Sequence, residues 1–254
     1  MEQKIMKSEL FFLALPVLAL VIIGASFALP WWTYESRAQS GENIGITLEF
    51  KLTEVKVTEL TSINGTNTTT KTISYSDRSL GNYTLPGVSV NESLFMENDT
   101  KNYDDTIRLY TTTMALTGIS VAFIAVGLLC HFLVKKGKLK NKLRVIFVLI
   151  AFLLSLLTVL YFPLAYPSAV EKDNIEMGGS TYMHGVIGSE KNTTRIAGVT
   201  LIDKWGPGSG WYAMFTGMFV NLIYYIAIRR QYIEQTLDEK FRRKPVHETE
   251  DRKQ

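Results

Sequence analysis

Apolar residues fall into four long blocks, separated by segments rich in Ser, Thr and Asn. Residues 109–134 and 145–170 contain no Asp, Glu, Lys or Arg. A helix of about 18 apolar residues or more, rising about 1.5 Å per residue, can cross a hydrocarbon core of about 30 Å. Between these two blocks lies KKGKLKNKLR, residues 135–144, with six cations and no acid. The pattern predicts a helical hairpin through a membrane. Its basic tip faces the cytoplasm, because short basic loops are retained on that side.

The other two blocks are 10–29 and 211–228. The first is about 20 residues long, more than the roughly 7–15 of a secretory signal, so it reads as an uncleaved span. Pro30-Trp31-Trp32 and Tyr34 end it, and such aromatics favour the headgroup level. The third span is expected at 145–165, closing at Tyr161, Pro163, Tyr166 and Pro167. The predicted order starts with a cytoplasmic segment at 1–9, the span at 10–29 and an outer segment at 30–108. It continues with the span at 109–134, the hinge at 135–144, the span at 145–165 and a second outer segment at 166–210. The span at 211–228 and a cytoplasmic helix and tail at 229–254 complete it.

The outer segments carry a different period. Ile44, Ile46, Leu48, Phe50 and Leu52 alternate with polar residues, as in a half-buried strand. The apolar parity changes at Val55 and Val57, which predicts a bulge or a break. TSINGTNTTT, residues 61–70, reads as a turn, with a returning strand at 72–76 and another at 83–90 interrupted by Pro86-Gly87. In the second outer segment, 182–187 and 196–202 are expected to pair around a tip at 189–194. KWGPGSGW, residues 204–211, reads as a turn on the membrane surface. The fold class expected is a membrane α-helical four-span bundle with a small antiparallel β-sheet formed by the two extracytoplasmic loops.

Charge agrees with this topology. The net charge is +3, but the segments assigned to the cytoplasm total +8 and the remainder −5. There is one cysteine, Cys130, so the outer loops have no intramolecular disulfide. Six Asn-X-Ser/Thr acceptors, at Asn64, Asn67, Asn82, Asn91, Asn98 and Asn192, all fall in the predicted outer segments. That one-sided placement predicts covalent N-glycans. Sequons fit a eukaryote or an archaeon, and the missing disulfides favour the archaeon.

Signals for catalysis are weak. His131, His184 and His247 have no ligand-like spacing, so no metal is expected. Cys130 and His131 are helix neighbours and point in different directions, against a thiolate–imidazole pair. GPGSG precedes a span and not a nucleotide-binding helix, so neither cofactor nor nucleic acid is expected. Ala115, Gly118, Ala122 and Ala125 form a small-residue stripe, predicted as the packing seam within the bundle. Asn221 is the strongly polar residue at mid-depth, predicted as interhelical glue. Apart from His131, near one end of its span, the spans lack the ionisable groups that a pump or proton-coupled transporter places in the membrane.

The layout, with Trp31-Trp32 following the first span, resembles the claudin and peripheral-myelin-protein group at the level of topology. The Gly-Leu-Trp and cysteine pair of the claudin signature are absent. The resemblance implies a left-handed four-helix bundle capped by a sheet shared between the two outer loops. The expected role is that of a non-enzymatic plasma-membrane glycoprotein, structural or adhesive, with both termini cytoplasmic. The alternative is an accessory subunit of a larger membrane complex, a transporter or an enzyme. Expected partners are the lipid bilayer and other membrane proteins or a second copy.

Topology is directly testable. An impermeant amine reagent on intact cells is expected to modify Lys51, Lys71 or Lys191, and to leave Lys136 and Lys140 unmodified. Labelling of the hinge in sealed cells would reverse every assignment of side.

Overall fold

A computed structural model describes residues 2–38, 45–61, 67–74, 104–176, 187–196 and 199–242. The apolar blocks become helices: α1 Glu2–Ala25, α2 Asp104–Lys135, α3 Asn141–Glu176 and α4 Ser209–Arg242. Among the described residues, three stretches are long and apolar enough to cross a membrane, Asp105–Lys135, Asn141–Lys172 and Ser209–Glu239. A shorter apolar stretch, Phe11–Ala25, belongs to α1, and the chain leaves that helix at Ser26 and not at Leu29. Each helix packs on the next and α4 closes back on α1.

Both ends of α3 differ from expectation. At the hinge, Gly137 takes φ +70, with Gly137 N–H donating to Val134 O and Lys138 N–H to Leu133 O. This is a left-handed C-terminal cap, in which glycine avoids a Cβ clash. The turn therefore occupies 136–140, and Lys142 and Arg144 belong to α3. At its other end α3 continues through Pro163 and Pro167 to Glu176. Pro163 lacks the N–H that would bond the carbonyl four residues back, Val159 O. The Trp211 indole, from α4, donates to that carbonyl at 3.0 Å. A neighbouring helix thus replaces the bond that proline cannot make.

Six strands, β1 Trp32–Ala38, β2 Gly45–Phe50, β3 Glu54–Thr61, β4 Asn67–Ser74, β5 Gly188–Ile196 and β6 Val199–Pro207, form one antiparallel sheet. Its order is β4-β3-β2-β1-β6-β5, so the two segments between helices share it as expected. The parity change at Val55 is a turn at Leu52–Thr53, closed by Lys51 N–H to Glu54 O. Reversing direction returns Val55 opposite Phe50 and Val57 opposite Leu48, on the face that also holds Ile46. The β5–β6 connection lies at 197–198, so the expected tip at 189–194 is inside β5. The strand expected at 83–90 and the one at 182–187, except Ile187, lie outside the described residues.

The unexpected strand is β1. Trp31 and Trp32 are both 0% exposed, not surface anchors. Trp31 Nε1 donates to Ser26 O at 2.8 Å and Trp31 N–H to Phe50 O at 2.7 Å. Its ring meets Phe162 edge-on at 5.3 Å, and Trp32 stacks on Tyr166 at 4.1 Å. KWGPGSGW docks here also: Gly208 N–H donates to Trp31 O and Gly210 N–H to Pro30 O. A Cβ on Gly210 would sit 2.7 Å from Leu29 O, so the close approach requires glycine.

The small-residue stripe does not line a seam of this bundle. Ala115, Ala122 and Ala125 are exposed, and a Cβ on Gly118 would have only Phe27 nearby, at 4.0 Å. The close helix contacts are elsewhere. A Cβ on Gly127 would lie 2.8 Å from Val148 Cγ2, and one on Gly217 would clash with Ile23. Gly217→Leu is therefore expected to cost about 1–3 kcal/mol through overpacking. Ala122→Leu, on the outer face, is expected to leave thermal stability in detergent unchanged. Equal loss in both variants would restore the predicted seam.

Candidate functional site

The inward face of α3 runs Arg144, Val148, Ala151, Ser155, Val159, Phe162, Tyr166, at helical spacing. Arg144 is the last cation of the basic run and the first position of this buried stripe. It is 3% exposed. Its Nη1 lies 2.9 Å from His131 Nδ1 on α2, and its Nη2 donates to Gln231 Oε1 on α4 at 2.8 Å. Arginine only donates, so His131 Nδ1 must accept, which fixes the neutral imidazole with its proton on Nε2. Arg144 Nε–H has no partner, and no carboxylate pairs with this guanidinium among the described residues. Glu234, on the next turn of α4, is exposed and takes Arg230.

Cys130 and Tyr224 lie within electrostatic reach of the same guanidinium. Both are buried, and the Tyr224 hydroxyl has no partner. This end of the bundle therefore gathers Arg144, His131, Gln231, Cys130 and Tyr224 from three helices. Asn141 Nδ2 donates to Gln235 Oε1 at 2.9 Å and bridges α3 to α4 above them. Sequence reasoning counted Arg144 with the solvated hinge. The signal available was its spacing of four and seven residues before Val148 and Ala151.

Asn221 is 0% exposed, and neither its amide oxygen nor its nitrogen has a partner. It lies ten residues before Gln231 and ten after Trp211 on α4, about 15 Å from each. The expected interhelical hydrogen bond is thus not made among the described residues. Buried hydroxyls of α2 and α3 bond carbonyls of their own helices: Thr117 to Thr113 O, Ser120 to Leu116 O, Ser155 to Ala151 O and Thr158 to Leu154 O.

Among the glycosylation acceptors, Asn67 opens β4 and Asn192 lies in β5, the two outermost described strands of the sheet. Asn192 is thus in a strand and not in a turn. Asn64, Asn82, Asn91 and Asn98 lie outside the described residues, as do His184 and His247. No group of three or more His, Cys, Asp or Glu that could hold a metal occurs among the described residues. No protein-family model matches the chain, and no curated protein matches it.

A buried amide without partners costs about 1–3 kcal/mol. Asn221→Leu keeps the branched shape and removes both polar atoms. It is expected to leave the thermal midpoint unchanged or raise it. A clear fall would mean that the amide makes a bond essential to the bundle, as glue would.

Proposed function

We propose that this is a four-span membrane glycoprotein of the cell surface, structural or adhesive in role, which presents its six-stranded sheet outside on a rigid mount. The observation that carries the reading is the shared sheet itself. Strands from two segments far apart in sequence complete it, and buried Trp31 and Trp32 fasten it to the bundle. Such a mount holds a surface in fixed orientation to the bilayer. The basic turn at 136–140, with Lys136, Lys138 and Lys140 exposed, sits at the opposite end and supports a cytoplasmic hinge and cytoplasmic termini.

The positions of Asn67 and Asn192 support outward, sugar-bearing edges. A sheet edge pairs readily with other chains unless it is covered or charged. Glycans at β4 and β5 would screen both described edges and leave contact to the faces. The topological likeness to claudins and peripheral myelin proteins is consistent with this role.

A second reading has its own support. Ala115, Ala122 and Ala125 are exposed on α2, where small residues allow another helix to approach closely. This fits an accessory subunit of a larger membrane complex. One purification tests both. Protein taken from native membranes in mild detergent is expected to carry sugar on at least two of the six sequons by mass spectrometry. A fully bare protein overturns the cell-surface reading. A stoichiometric, unrelated large partner in the same preparation favours the subunit.

A further inference from the structure

A guanidinium keeps its charge at any pH a cell experiences, and a buried charge needs a counter-charge or a full set of hydrogen bonds. Arg144 has neither: its two acceptors, His131 and Gln231, are neutral, and Nε–H is open. The groups that cover it are only half-buried. His131, Asn141 and Gln231 separate it from the surface at the hinge end. The same end carries exposed cations: Lys136, Lys138 and Lys140 from the turn, Lys142 from α3 and Arg229 from α4. A group of exposed cations beside a fixed, unneutralised guanidinium is a site for an anion. Its place at the end of an apolar bundle puts it at headgroup depth.

We propose that the hinge end of the bundle binds the phosphate of an anionic phospholipid headgroup, with Arg144 as the fixed cation and Gln231 as the neutral side chain that the phosphate displaces. The inference rests on the membrane-spanning reading above. Basic pockets between helices on the cytoplasmic side select anionic headgroups, and the cytoplasmic leaflet supplies them. Exchange of Gln231 for phosphate replaces a neutral acceptor with an ionised one, and charge-assisted bonds are about twice as strong as neutral ones. The planar fork of arginine suits two phosphate oxygens. The exposed lysines raise the local concentration of anionic lipid without fixing its position.

The test uses the full chain in phosphatidylcholine nanodiscs, with and without phosphatidylglycerol. Resistance of the same chain to alkaline extraction from its native membrane checks the spanning reading separately. Wild type is expected to melt at higher temperature with phosphatidylglycerol and to retain it in native mass spectrometry. Gln231→Glu keeps the side-chain length and supplies a carboxylate to Arg144. It is expected to melt higher in phosphatidylcholine alone and to gain nothing further from phosphatidylglycerol. Arg144→Gln is expected to retain the lipid at least roughly fivefold less well, the effect of one cation near an anionic surface. A Lys136, Lys138 and Lys140 to Gln triple variant, whose changes are all exposed, is expected to keep a reduced gain. The proposal fails if wild type gains nothing, or if Gln231→Glu gains as much as wild type, which would assign the effect to the surface lysines. It also fails if inorganic phosphate in phosphatidylcholine nanodiscs reproduces the whole gain, which would make the ligand free phosphate and not a lipid.

Discussion

The burial of Trp31 and Trp32 is the contact on which the two halves of the molecule depend. These side chains sit where α1 becomes β1, and their backbone is held on both sides, by Phe50 O from β2 and by Gly208 N–H at the start of α4. Their rings rest on Phe162 and Tyr166 of α3, which in turn meet Tyr110 of α2. All four helices and the sheet therefore share one continuous core. Aromatic pairs contribute about 0.5–1.5 kcal/mol beyond their buried area, and the cluster contains several in mutual contact. A sheet joined to a bundle by flexible links would swing. Here the joint is packed into the same core as the helices.

Polar groups inside the bundle follow one rule, and its exceptions are informative. An apolar surround offers no water, so hydroxyls return to their own helix and the carbonyl freed by Pro163 takes the Trp211 indole. The exceptions include Thr113 on α2, Arg144 Nε on α3, and Asn221 and Tyr224 on α4. The end near the sheet is closed by stacked rings, and the hinge end by hydrogen bonds among neutral side chains around one charge. The two ends are thus built from different chemistry, one fixed by packing and the other open to exchange.

The stripe Ala115–Gly118–Ala122–Ala125 shows why spacing alone misplaces a seam. Helical period says which residues share a face, but two faces of α2 have that period. The inward one is Tyr110, Thr113, Thr117, Ser120, Ile124 and Gly127, rich in hydroxyls and glycine. In water, polarity would mark such a face as outer. Beside lipid the sign is lost, because Leu, Ile and Val are as comfortable against acyl chains as in a core. Leu153, Leu157, Leu160 and Leu164 of α3 are accordingly exposed.

The sequence by itself determined the helices, the basic hinge between the central pair and the presence of strands between α1 and α2 and between α3 and α4. These follow from local composition and period, which need no knowledge of distant partners. Only the tertiary structure decided that β1 joins the two sets of strands, that α3 passes through two prolines, and that Trp31 and Trp32 face inward. It also decided that Arg144 turns away from the lysines beside it. Each of these depends on a partner far along the chain: β6 for β1, Trp211 for Val159 O, Tyr166 for Trp32, and His131 with Gln231 for Arg144. Local pattern specifies what a segment can form; the groups brought to it by folding specify which face, which end and which charge are used.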